Sequence, residues 1–229
     1  MTVKKFIALT SAALAATAMI ASAQVAVDVA STYIFRGATL TDEVSVQPGF
    51  DTSILNGAVS VGTWANLNTD TSEIDEIDFF FGYAVPTGEA SPVAIEIGYT
   101  EYTYPGAEGD ADREPYISFG ANDLPVDLSL GLYYGVSGAI DSSLYMELGL
   151  GYGMDLAENL GLGLSAALGY SDPDEGDSGF SHLTLGAGLD VAIPESEYVV
   201  TFGLAYVVEL DIDNYVDEDL FFTVGTTLL

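Results

Sequence analysis

Eight carboxylates share one phase of alternating apolar and polar residues: Asp28, Asp51, Asp78, Glu96, Asp127, Glu147, Asp190 and Glu209. If those runs are strands, all eight point to one side. Gathered on one lining they attract cations, as rings of Asp and Glu do in cation pores. They also repel anions over a Debye length of about 8 Å in physiological salt. Glu101 is the strand acid on the opposite, greasy phase, close to a long loop. Against the acids stand Arg36 and the lone His182. An arginine among carboxylates serves either as an eyelet residue that narrows a pore or as a counter-ion whose planar fork pairs two oxygens. The counter-ion reading is preferred, with Asp51 and Asp78 as the expected partners. Trp64 lies on the same phase beside Asn66 and either fills space or stacks on a ligand.

Other chemistries find little support. Nucleophilic hydrolysis needs a base beside a hydroxyl. His182 is the one histidine, with Thr184 on its face and Ser181 and Ser165 as further neighbours. No Gly-x-Ser-x-Gly elbow accompanies them. An enzyme is therefore not expected, nor is a cofactor. A chain without cysteine excludes disulfides and thiolate metal sites, and one histidine excludes a histidine metal set. Asp172, Asp174, Glu175 and Asp177, or Asp211, Asp213 and Asp217, offer hard oxygen ligands. Neither run has the EF-hand spacing. They read as solvated charge, able to bridge to anionic lipopolysaccharide through divalent ions. With 4 Lys+Arg against 35 Asp+Glu, a net charge of −31 leaves no footprint for nucleic acid. A hydrophobic fraction of 49% excludes disorder.

The elements that carry these residues follow from the pattern. A mean hydropathy of +0.33 on so acidic a chain calls for a solvent other than water over part of the surface. Met1 to Lys5 is a short basic segment, Phe6 to Ile20 is apolar, and Ala21-Ser22-Ala23 has the small-x-small form of a cleavage site. Residues 1–23 are read as a secretory signal and 24–229 as a single domain. No later apolar stretch reaches the length of a membrane helix. Period-two alternation marks twelve strands: 24–36, 44–55, 58–67, 74–85, 92–104, 115–121, 126–136, 142–153, 160–170, 181–193, 198–210 and 219–229. Most have ten or more residues, whereas soluble strands average about five or six and tilted membrane strands need about 9–11. Leu160, Leu162, Leu164, Ala166, Leu168 and Tyr170 make one face of the ninth, against Gly161, Gly163, Ser165, Ala167 and Gly169. The greasy face meets either the core of a soluble β-sandwich or the lipid around a barrel.

The connections favour the barrel. Alternate links are short, such as Asn56-Gly57, a type I′ hairpin signal. The others, including 39–43, 105–114, 171–180 and 211–218, are longer and acidic. Short turns on one rim and long loops on the other is the outer-membrane arrangement. An even strand count puts both termini on the short-turn, periplasmic side.

Ser31-Thr32-Tyr33-Ile34-Phe35-Arg36-Gly37, Thr41-Asp42 and Val46-Gln47-Pro48-Gly49-Phe50-Asp51 resemble the opening of the TorF-like porins, also catalogued as the conserved-hypothetical Gcw_chp group. Gly62-Thr63-Trp64-Ala65-Asn66, Glu76 to Tyr83, Gly98-Tyr99 and Tyr102 to Gly106 continue the likeness. It covers about the first half of the exported chain; beyond Glu114 only the barrel rhythm is recognisable. The resemblance implies an outer-membrane barrel with a channel role and carries no substrate or site residues with it. Such barrels usually end in an aromatic residue read by the assembly machinery, whereas this chain ends Thr226-Thr227-Leu228-Leu229.

The expectation is an all-β, transmembrane, antiparallel up-and-down β-barrel in the bacterial outer membrane, partnered by lipid, lipopolysaccharide and the barrel assembly machinery. It would pass small neutral or cationic solutes by diffusion through an acidic lumen. The alternative is a non-conducting barrel whose acidic loops serve binding or envelope integrity. Solute, pore radius and oligomeric state are not encoded legibly.

Overall fold

A computed structural model describes residues 23–88, 90–121, 124–196, 198–212 and 220–228. All of the expected signal segment but Ala23, and most of the acidic run 211–218, lie outside the described residues, as does the final Leu229. The strands are β1 (Gln24–Ala30), β2 (Tyr33–Phe35), β3 (Ala38–Thr41), β4 (Ser45–Ile54), β5 (Val59–Asn68), β6 (Glu73–Val85) and β7 (Val93–Thr103). After them come β8 (Asp112–Ala121), β9 (Asp127–Tyr134), β10 (Leu144–Ala157), β11 (Leu160–Asp172), β12 (Gly179–Ala192), β13 (Val199–Glu209) and β14 (Leu220–Leu228).

Twelve of these close into one antiparallel barrel in the order β1-β14-β13-β12-β11-β10-β9-β8-β7-β6-β5-β4. Every wall strand pairs with its sequence neighbour, and β1 closes the ring against β14, from Val25↔Leu228 to Ala30↔Thr223. Both described ends of the chain therefore sit on the short-turn rim. The greasy phase faces out: Val25, Val27, Val29, Phe79, Phe81, Leu148, Leu150, Phe202, Leu204, Phe222 and Val224 are all exposed. An apolar band of that extent is untenable in water and is the lipid face of a membrane barrel. The soluble sandwich is excluded, because the apolar side chains enclose nothing. Glu101 does face outward and meets Arg113 across the β7–β8 pair at 3.4 Å, near the long-loop rim.

Three expectations are corrected. The first strand does not run to Arg36. After Ala30 the chain leaves the wall, forms β2 and β3, and returns at Ser45. Residues 39–43 are thus not simply a loop, since Ala38–Thr41 is a strand of this inserted hairpin. The strand expected at 115–121 begins at Asp112 as β8, because Asp112 and Glu114 are bonded and buried inside rather than solvated in a loop. The strand expected at 142–153 continues to Ala157 as β10.

The β2–β3 hairpin is paired only within itself, Phe35↔Ala38 closing it around Arg36-Gly37. Both tip residues have positive φ, 51° and 84°, as a type I′ turn requires. The hairpin lies in the lumen. Tyr33 packs on Trp64 of β5, ring centres 5.3 Å apart, and Phe35 meets Tyr102 of β7 edge-on at 5.6 Å. Ile34 joins Ala205 and Val207 of β13 and Phe221 of β14 in an apolar cluster. The barrel's packed interior is therefore its long-loop half, filled by a piece of its own chain.

Candidate functional site: a hairpin latched across an acidic lumen

The centre of the plug is Arg36. Its guanidinium makes a two-pronged pair with Glu114 of β8, Nη1 to Oε1 at 2.8 Å and Nη2 to Oε2 at 2.5 Å. The carbon of the same group lies 4.2 Å from the Tyr145 ring centre, 4.7 Å from Tyr133 and 4.8 Å from its neighbour Phe35. Fork pairing and stacking on aromatic faces are what a planar guanidinium does well and an ammonium does not. Tyr102 donates to Glu114 Oε2 at 3.1 Å and fixes that carboxylate from the other side. Burial alone would pull the Arg36 pKa down; the hydrogen bonds and charge of Glu114 outweigh it and hold the group above its ordinary value.

Strand geometry sets the cage. Tyr102, Glu114, Tyr133 and Tyr145 are inward residues of four adjacent strands, β7 to β10. Their rings continue a ladder, Tyr116–Tyr133–Tyr145–His182, with centres 5.7, 5.9 and 6.4 Å apart. Glycine makes room for it. A Cβ on Gly169 would stand 2.5 Å from the His182 ring nitrogen. The tip glycine, Gly37, is pressed as closely against the same ring. Arg36 holds a left-handed conformation that costs a non-glycine residue roughly 1–2 kcal/mol. The contacts of its side chain offset that strain.

His182 is fully buried. Tyr145 gives its proton to Glu147 Oε2 at 2.8 Å, so its oxygen accepts from His182 Nε2 at 3.0 Å. The imidazole Nδ1 is then the acceptor for Thr184 Oγ1, also at 3.0 Å. Enclosed in this way, the histidine supports the cage.

Around the hairpin's root a second set of polar groups closes the long-loop mouth. Gln47 donates to Asn66 at 3.1 Å, and Asn66 donates to Asp75 at 2.7 Å. Asp112 accepts from Tyr104 at 2.9 Å and from the backbone of Ala139 at 2.5 Å, docking the short 3-10 turn Gly138–Ile140 against β8.

The profile of a family described as bacterial protein of unknown function (Gcw_chp) matches residues 12–227. The chain belongs to that family. The match runs well past Glu114 and takes in every wall strand. No curated protein matches the sequence. Among solved structures, the NanC porin superposes with a TM-score of 0.60 at 10% identity, over 91% of this chain and 100% of that one. LpxR from Salmonella typhimurium superposes with a TM-score of 0.51 at 9% identity, over 90% and 99%. At such identities the likeness is one of fold alone.

The acids expected to share a side in this Gcw_chp chain do lie on the inward phase, but they divide by depth. Asp51 and Asp127 are exposed and Asp190 half-buried toward the short-turn end, whereas Asp28, also half-buried, lies in register with Gln47 nearer the long-loop end. Asp190 accepts from Thr201 at 2.7 Å. Glu96, accepting from Tyr116 at 2.8 Å, and Asp78, beside the buried Glu76, lie deeper. Glu147 is buried behind the cage, and Glu209 pairs in register with His182 at the long-loop end. Arg36 is the counter-ion expected, yet its partner is Glu114, not Asp51 or Asp78. Trp64 packs at a tilt against Tyr33 of the hairpin. The acidic run Asp172 to Asp177 brings no metal-holding cluster together among the described residues. Sequence reasoning missed Glu76, Asp112, Glu114 and the tyrosine ladder. The signal for the ladder was present: Tyr102, Tyr116, Tyr133 and Tyr145 all fall on the inward phase, where a small barrel otherwise carries small residues.

Proposed function

We propose that the protein is an outer-membrane channel of narrow bore for small neutral or cationic solutes, with the β2–β3 hairpin as its constriction. The observation that carries this reading is the charge of the lining. Inward carboxylates recur around the short-turn half, and the inward cation, Arg36, is already neutralised by Glu114. A low-dielectric wall focuses such a field and raises the local concentration of cations. Discrimination then rests on bore and potential, with no chemical step. On this reading residues 1–23 export the chain, the short-turn rim faces the periplasm, and the acidic loops meet lipopolysaccharide through divalent ions.

One observation favours the alternative of a non-conducting barrel. Ser45, Ser181, His182 and Val207 are fully buried at the level of the hairpin, so that half of the lumen is shut in this conformation. Planar-bilayer recording of the refolded protein in a KCl gradient separates the two. Openings with a cation-preferring reversal potential are expected. Anion preference would remove the electrostatic argument. Silence, both from the wild type and from a variant lacking residues 31–44, would leave the non-conducting barrel.

A further inference from the structure

The Arg36 cage is built from two unequal parts. Phe35 and Arg36 arrive on the hairpin, whereas Tyr102, Glu114, Tyr133 and Tyr145 belong to four paired strands of the wall. The wall part is a recess that the hairpin fills. With the hairpin seated, its Glu114 carboxylate is almost wholly out of water, positioned by a tyrosine hydroxyl, with two tyrosine faces beside it. A buried carboxylate without a partner is strongly unfavourable, so the recess demands a cation. Its shape demands a planar one, because both oxygens of Glu114 engage parallel N–H groups.

We infer that this recess is a binding site for a small solute bearing a guanidinium group, and that Arg36 is a tethered stand-in occupying it when the solute is absent. Two features of the structure agree. The hairpin is secured to itself by one short ladder and to the wall by side chains, with no strand pairing between them. Glu147, held by the Tyr145 hydroxyl behind the recess, is a second buried carboxylate on the same tyrosine. A guanidinium solute competes with Arg36 for Glu114; when it wins, the tip loses its latch and the hairpin loses its hold on the lumen. The inference deepens the channel reading by naming a solute class and a trigger, and the release of the constriction rests on that reading.

Trp64, the single tryptophan, packs against Tyr33 of the hairpin and so reports its position without any need for conduction. Methylguanidinium chloride is titrated into the refolded protein in detergent while Trp64 emission is followed, with sodium chloride and methylammonium chloride at equal concentration alongside. A saturable change specific to methylguanidinium is expected. In Glu114→Gln its half-saturating concentration rises roughly tenfold or more, the loss expected when a bidentate charge-assisted pair goes. In Arg36→Lys, which keeps the charge and loses the fork, it falls. Heat-modifiable gel migration establishes that each variant is folded. Should Glu114→Gln fail to fold, the Arg36→Lys shift decides. A response equal to that of the other salts, or unchanged in the folded variants, overturns the inference. A specific Trp64 response in a barrel that never conducts keeps the site and removes the channel. Conduction without that response does the reverse.

Discussion

Arg36 concentrates the energetics of the interior in one side chain. It sits in a backbone region that disfavours it, buried between rings, and it is neutralised by an acid from a strand 78 residues away in sequence. Truncating one partner of a buried pair leaves an uncompensated charge and costs about 3–5 kcal/mol. Arg36→Ala should therefore lower the denaturant midpoint, read from the shift between folded and unfolded gel bands. Adding Glu114→Gln to Arg36→Ala should restore part of the loss, since the orphaned charge is gone. A double mutant as unstable as the sum of the two would show that the pair is not coupled. Gly37→Ala acts on the same latch by sterics alone. Its φ of 84° disfavours a side chain, and a Cβ there runs into the His182 ring. The wall should still form, with the tip unable to seat. The expected readout is a Trp64 emission shift at unchanged heat-modifiability, and an unshifted spectrum would count against the packing described.

The hairpin is an insertion that the wall does not need. β1 and β4 pair directly through seven residues on each strand, from Gln24↔Asp51 to Ala30↔Ser45. Replacing residues 31–44 by a short turn should leave a folded barrel, and bilayer recordings of that variant should show larger unitary conductance than the wild type. An unfolded product would mean that the interior contacts of Tyr33, Ile34 and Arg36 are required for closure. The wall strands were legible in the sequence because each carries a greasy phase that must face lipid and a small or polar phase that must not. The hairpin was not legible. Tyr33 and Phe35 continue the phase of Val25, Val27 and Val29, so period two alone cannot tell a strand that stays in the wall from one that folds inward. Phe35-Arg36-Gly37-Ala38 carried the only local hint, a glycine at the second turn position. Glu114 was misplaced for a related reason. Next to Pro115 and after an acidic loop, it reads as solvated charge until the register pairs it with Thr100 and turns it inside.

On the scale of the whole molecule, the acids of the open half should set selectivity. Neutralising Asp51, Asp127 and Asp190 to Asn together should move the reversal potential in a KCl gradient toward zero, with little change in stability because these three are wholly or partly wet. An unmoved potential would place selectivity elsewhere. The outside of the barrel obeys the opposite rule. Leu148→Lys or Phe222→Lys puts a charge on an exposed apolar position and should cost about 2–4 kcal/mol if that position is near mid-bilayer. The residue opposite in phase, such as Gly149, has no lipid to offend. The seam between β1 and β14 adds a consequence in time rather than in energy. Val25 finds Leu228 across about 200 residues of chain, so this contact has the largest closure entropy in the fold and should form last. The hairpin, by contrast, is complete within the first 41 residues. The lumen is thus furnished before it is enclosed: nothing has to thread into a finished cylinder, and the slow phase of refolding should belong to the ring's closing and not to the plug's arrival.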